Sequence, residues 1–221
     1  MNNDKYNIIK EFVQSHNYDF SHDFTHIERV LGYALEIAET LDVDYSVLIP
    51  ACLLHDVGRA LEFRNKNQSH EIIGANIAYD FLIKNHYNKN NAKKVQEAIL
   101  SHSFRGDFEA LTIEGKILFD ADKIDLTGFI GVSRMLMYAY KFEEPLYVLN
   151  HYSDIDFSTK RSFVSSYNNI IKDLSKKMYT DAGKRLIEKH QENANVFYDG
   201  LLSEIKTSIN HQKLLYKFLL D

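Results

Sequence analysis

Residues 51–59 read Ala-Cys-Leu-Leu-His-Asp-Val-Gly-Arg. They close an uncharged run, Val47 to Leu54, that is far too short to cross a bilayer and reads as a helix of the core. Gly58 reads as its stop. His55 and Asp56 then project from the last turn of a buried helix, where side chains of this kind need a partner. Two readings fit the dipeptide. One is a metal-ligand pair, since neutral imidazole and carboxylate suit divalent ions. The other is an ordinary helix C-terminus, with the histidine near the dipole and the aspartate in a salt bridge.

Working outward, His26 lies upstream in Ser-His-Asp-Phe-Thr-His-Ile-Glu-Arg-Val, residues 21–30. Its segment has helical apolar spacing through Ile27, Val30, Leu31, Ala34, Ile37 and Ala38. Downstream, Leu-Phe-Asp-Ala-Asp-Lys-Ile-Asp (118–125) places three carboxylates in an otherwise apolar helix. The ordered set of a single His, a His-Asp pair and a late Asp resembles the HD-domain phosphohydrolase superfamily. The resemblance runs through 22–30, 53–59 and 114–125, then Gly128-Phe129-Ile130-Gly131 and Arg134, and covers roughly residues 16–140. It implies a divalent metal ion (Mn, Co, Ni, Fe, Mg or Zn) held by His26, His55, Asp56 and Asp122. Asp122 matches the final ligand of the pattern. Asp125, one turn further along the same face, reads as the group that orients a ligand histidine or a lysine. Asp120 points to another face, either solvated or salt-bridged.

Composition sets bounds on the rest. The 221 residues, 45% apolar and 26% charged, are ordinary for a globular protein. A net charge of −5 with no basic block does not suggest nucleic-acid binding. The first residues, Met-Asn-Asn-Asp-Lys-Tyr, are no signal peptide, and the lone Cys52 has no internal disulfide partner, so a cytoplasmic setting without membrane attachment is expected. Two prolines and helical spacing throughout predict an all-α, HD-domain-like bundle, with helices near 4–16, 23–41, 44–58, 70–86, 90–103, 112–139, 158–178 and 180–218. We expect one domain over 1–221, its motif-bearing core at about 16–140 and its C-terminal helices at about 158–219. Ser69 is the expected cap of the fourth helix, Gly128 or Gly131 an expected bend in the sixth, and the long last helix suits an interface between copies.

The chemistry implied by the resemblance is hydrolysis of a small phosphorylated substrate, with nucleoside tri- or diphosphates favoured. Asp56 would orient or deprotonate water. His70, in Ser69-His70-Glu71, would assist in proton transfer, and His102, in Ser101-His102-Ser103, would contact substrate. In some branches of the superfamily these two histidines hold a second metal. Arg29, Lys123 and Arg134 would bind phosphate charge, with Arg59, Arg64 and Arg105 on flanking loops. Phe63, Phe104 and Phe108 are available to stack on a base. A two-metal phosphodiesterase and a non-catalytic nucleotide sensor are the competing readings.

Overall fold

The computed structural model describes residues 3–16, 22–64, 68–103, 108–158 and 162–220, apart from the side chains of Arg64 and Leu220. Its described elements are helical: α1 (Asn3–Gln14), α2 (Phe24–Ala38), α3 (Tyr45–Leu54), α4 (Arg59–Arg64), α5 (His70–Lys84), α6 (Lys89–Leu100), α7 (Ile113–Asp125), α8 (Gly128–Lys141), α9 (Phe163–Ser166) and α10 (Asp181–Leu220). A π-helical turn at Tyr167–Ile171 and a 3-10 turn at Leu174–Lys177 follow α9. Among the described residues the only β pairing is an isolated antiparallel bridge, Leu149 with Ile155, and no helix is long and apolar enough to cross a membrane.

The chain divides into two compact units, Met1–Asp125 with Met178–Leu186, and Leu126–Lys177 with Ile187–Asp221. In the first, α3 is the central rod. Val47, Leu48, Pro50, Ala51, Cys52, Leu53 and Leu54 are all buried. Each leucine removed from water in this way contributes about 1.5–3 kcal/mol. Around α3 pack α2, α6, α7 and α1, with α5 against α6. Burial, reinforced by the charge of Asp122, pushes the Cys52 thiol up, so it is a small apolar group here and not a nucleophile.

Caps fix the starts of the site helices. Asp23 accepts from the His26 amide at 3.0 Å and from Thr25 Oγ1 at 2.7 Å, opening α2 with His26 in its first turn. Asp44 accepts from the Ser46 amide at 2.9 Å to open α3. Ser69 stands at the N-cap of α5 but its side chain makes no capping bond. Glu62 Oε1 does this instead, 3.1 Å from the His70 amide.

The expected boundaries change in four places. The helix expected over 44–58 stops at Leu54, and residues 55–58 form a turn. Gly58 does not end a helix by a left-handed turn. It is needed because a Cβ there would meet the His70 carbonyl oxygen and sit 2.6 Å from the Gly74 amide nitrogen, so the turn lies backbone to backbone against α5. Arg59, expected on a loop flanking the site, instead opens the short α4. The helix expected over 112–139 breaks into α7 and α8, where Gly128 takes φ +71°, a conformation that disfavours side-chain-bearing residues. The helix expected over 158–178 shrinks to α9 and the two tight turns.

The second unit has its own core. Phe163, Val164, Tyr167 and Ile171 are buried with Ile187, Ala194 and Tyr198 of α10. The Tyr167 and Tyr198 rings stack at 4.1 Å. Their hydroxyls donate to Asn195 Oδ1 at 3.0 Å and to the Val164 carbonyl at 3.2 Å.

Candidate metal centre

Three stretches of the first unit bring the site together: the first turn of α2, the turn after α3 and the last two turns of α7. His26, His55 and Asp56 are buried, with Asp122 slightly open. His26 Nε2 and His55 Nε2 face each other at 3.3 Å. Asp56 Oδ2 lies 3.6 Å from the first and 3.5 Å from the second. Asp122 Oδ1 is 3.6 Å and 3.9 Å from the same two nitrogens.

The other ring nitrogens settle the tautomers. His26 Nδ1 donates to Asp125 Oδ2 at 2.8 Å, and His55 Nδ1 donates to the Cys52 carbonyl at 2.8 Å. A neutral imidazole that donates through Nδ1 carries its lone pair on Nε2. Two such lone pairs 3.3 Å apart, beside two carboxylate oxygens, bring acceptor atoms together. Burial pushes His55 down to about 3, against the pull of Asp56 and Asp122, so its ring stays neutral. Burial pushes Asp56 and Asp122 up, but the opposing charges, led by Arg59 for Asp56 and by Lys123 for Asp122, hold both well below the usual carboxylate range. Neutral nitrogens and ionised oxygens converging on one point are the donor chemistry of a divalent cation. Asp56 Oδ2 adds to this by being buried with no hydrogen-bond partner.

Beside this set lies a second group. Asp56 Oδ1 is 3.8 Å from His70 Nε2 and 3.7 Å from His102 Nε2. His102 Nδ1 donates to the Ile99 carbonyl at 2.5 Å. His70 Nδ1 faces Glu62 Oε1 at 3.2 Å and Glu71 Oε2 at 3.1 Å. Both Nε2 atoms are buried without a partner. Burial, assisted by Arg59, lowers the His70 pKa. His26, His55 and Asp56, and again Asp56, His70 and His102, place their donor atoms close enough to share an ion.

The cations are distributed unevenly. Arg29 is held in a fork by Asp125, Nε to Oδ1 at 2.6 Å and Nη2 to Oδ2 at 3.1 Å, so it braces the carboxylate that orients His26. Buried Lys123 donates to Asp122 Oδ2 at 2.6 Å and to the His102 carbonyl at 2.9 Å. Arg59 Nε donates to Asp56 Oδ1 at 2.9 Å. Arg134 is a half-buried residue of α8 in the second unit. Arg105 and Phe104 lie outside the described residues, as does the Arg64 side chain, whereas Phe63 and Phe108 are exposed. The His22 ring stands edge-on to His26 at 6.0 Å.

Asp120 is neither solvated nor salt-bridged. It is fully buried and accepts from the Tyr179 amide, the Thr180 amide and Thr180 Oγ1 at 2.7–2.8 Å, anchoring the start of α10. Glu62 went unread in the sequence. Its only signal there was a helical i, i+3 spacing from Arg59 across a stretch taken as loop. Burial pushes Glu62 up, but the His70 contacts outweigh this and bring it down to about 2.

Residues 23–127 match the HD domain family. The uncharacterized protein YpgQ of Bacillus subtilis is 34% identical over 137 residues, 59% of this chain and 64% of that protein. The crystal structure of YpgQ superposes with a TM-score of 0.73 at 27% identity, over 91% of this chain and 96% of that one. YpgQ has also been crystallised in complex with ADP. The Lin1889 protein of Listeria innocua gives 0.70 at 25% identity, over 93% and 98% of the two chains. A predicted HD superfamily hydrolase from an uncultured Thermotogales bacterium gives 0.59 at 25% identity, over 90% and 89%. Residues 23–127 of this chain carry an HD domain, and over most of its length the chain is similar to a predicted HD superfamily hydrolase.

Proposed function

We propose that this protein is a metal-dependent phosphohydrolase acting on small nucleotide-type phosphates, with nucleoside tri- or diphosphates preferred. The observation that carries it is the convergence of His26 Nε2, His55 Nε2, Asp56 Oδ2 and Asp122 Oδ1, with the two carboxylate oxygens 3.5–3.9 Å from the two nitrogens. A divalent ion held there supplies a water of near-neutral pKa and a Lewis acid for a phosphoryl oxygen. Asp56, kept ionised, would hold the ion and orient or deprotonate that water. His70 and His102 offer free, buried Nε2 atoms beside Asp56, suited to moving a proton to or from substrate. Lys123 fixes positive charge next to Asp122 where phosphate charge develops. Arg29 joins the proposed substrate-binding set from its fork on Asp125, whereas Arg134, the other expected phosphate-binding residue, belongs to α8 of the second unit.

The nucleotide preference rests on several cations around one carboxylate-rich centre, which suit a polyphosphate better than a monoester. The ADP complex of the related YpgQ points the same way. The test is turnover of a panel of nucleoside mono-, di- and triphosphates with manganese, cobalt, nickel or magnesium, against an aryl phosphate ester. Faster turnover of the nucleotides is expected, and equal or faster turnover of the aryl ester would sink the preference. A two-metal phosphodiesterase has the trio of Asp56 Oδ1, His70 and His102 in its favour, and Arg59 on the same oxygen against it.

A further inference from the structure

Asp56 divides its two oxygens. Oδ2 faces His26 and His55, and Oδ1 faces the Nε2 atoms of His70 and His102 at 3.8 Å and 3.7 Å. Those two Nε2 atoms are buried lone-pair carriers without a hydrogen-bond partner. Three acceptors around one point need a cation. The structure already supplies one, because Arg59 Nε donates to Oδ1 at 2.9 Å.

Arg59 is tied to that place from the other side as well. Its Nη1 lies 3.7 Å from Glu62 Oε2, and Glu62 Oε1 takes both the amide and the ring of His70. The chain between Asp56 and Arg59 is a single turn whose Gly58 lies against the backbone of α5, so the guanidinium is presented at short tether. An arginine carries its charge at every working pH, so it neutralises Oδ1, and its N–H groups stay clear of the two imidazole Nε2 atoms, which have no partner.

Resting on the functional reading above, we propose that the Arg59 guanidinium occupies the position of a second metal ion and holds the centre to one ion per chain. Asp56 Oδ1 is committed to Arg59, and His70 and His102 are left free to exchange protons. This also bears on substrate class. Two metals clamp the attacking and leaving oxygens symmetrically, whereas one ion beside a fixed guanidinium charge suits a polyphosphate, whose added charge that cation offsets.

The experiment counts bound manganese after equilibration and gel filtration, by elemental analysis and by electron paramagnetic resonance, in the full chain and three variants. Wild type is expected to hold one ion with an uncoupled spectrum. Arg59→Met is expected to hold two, with the spectrum of an exchange-coupled pair, and Arg59→Met with His102→Ala to return to one. Arg59→Lys, which keeps the charge, is expected to stay at one. Two ions in wild type, or one in Arg59→Met with native far-UV circular dichroism, would overturn the role of Arg59 and leave the hydrolase reading standing. No ion in any protein would overturn that reading itself. Should Arg59→Met lose its helical spectrum, Arg59→Gln carries the same expectation of two.

Discussion

At the scale of single residues, the account rests on which nitrogen each histidine presents. Asp125 orients His26, the Cys52 carbonyl orients His55, and the Ile99 carbonyl orients His102. Carboxylates that orient metal-binding imidazoles are worth about 10–100-fold in metal affinity. Asp125→Asn should therefore weaken manganese binding by about that factor in a calorimetric titration, and an unchanged affinity would mean that the Asp125 contact does not tune the site. Asp122→Ala removes a proposed ligand, and we expect no measurable hydrolysis with an unaltered helical spectrum. Full activity would remove Asp122 from the ligand set. The neutral His55 also sets a pH response. Its folded value, about 3, lies below the ordinary value of about 6.5 in an unfolded chain. Below 6.5 the unfolded chain takes up a proton that the folded chain refuses, so stability falls as pH drops from 6.5 toward 3. With metal chelated, the urea midpoint should be lower at pH 5 than at pH 7.5, and equal midpoints would contradict a buried neutral His55. These residues were legible because histidine and aspartate inside apolar helix stand out. Glu62 was not, because its work is defined by the His70 it meets through folding, eight positions away, and by the cap it supplies where Ser69 does not.

At the scale of elements, helical spacing located most of the bundle, since buried faces such as Ile27, Val30, Ala34 and Ile37 of α2 repeat at three and four. Spacing places the ends less well than the faces. The helix expected over 112–139, with a bend at Gly128 or Gly131, leaves helical backbone altogether at Leu126 and Thr127 and restarts at Gly128 with a positive φ. Periodicity records which face is buried and not where the axis turns. Gly58 looked like a helix stop from its position, but it is required by close approach to Gly74 and His70. Gly58→Ala would press a methyl group into that backbone. We expect a loss of about 1–3 kcal/mol in urea unfolding, the range for overpacking a close contact, together with weaker metal binding, since the same turn carries Asp56. No loss of stability would mean that the turn and α5 separate without cost.

At the scale of the molecule, chemistry and appendage are separable. All four proposed ligands belong to the first unit, whereas α10 runs into the second, where residues 211–219 are exposed along the whole stretch. Removing residues 211–221 should leave metal stoichiometry and the melting temperature of the metal-bound form unchanged. A fall in bound metal would show that this end supports the site. The length of α10 was legible in the sequence, because Leu186, Phe197, Leu201 and Ile205 fall on one side at helical spacing. Beyond Ile209 its apolar side chains Leu214, Leu215, Phe218 and Leu219 lie in solvent, which spacing does not foretell. The central claim is that one divalent ion sits among His26, His55, Asp56 and Asp122. The most direct measurement is a crystal structure of the manganese-loaded protein with anomalous scattering. The account predicts one peak, about 2.0–2.3 Å from the Nε2 atoms of His26 and His55 and from an oxygen each of Asp56 and Asp122. No peak at that point in a metal-loaded crystal, or a peak elsewhere with these four side chains unliganded, would contradict it.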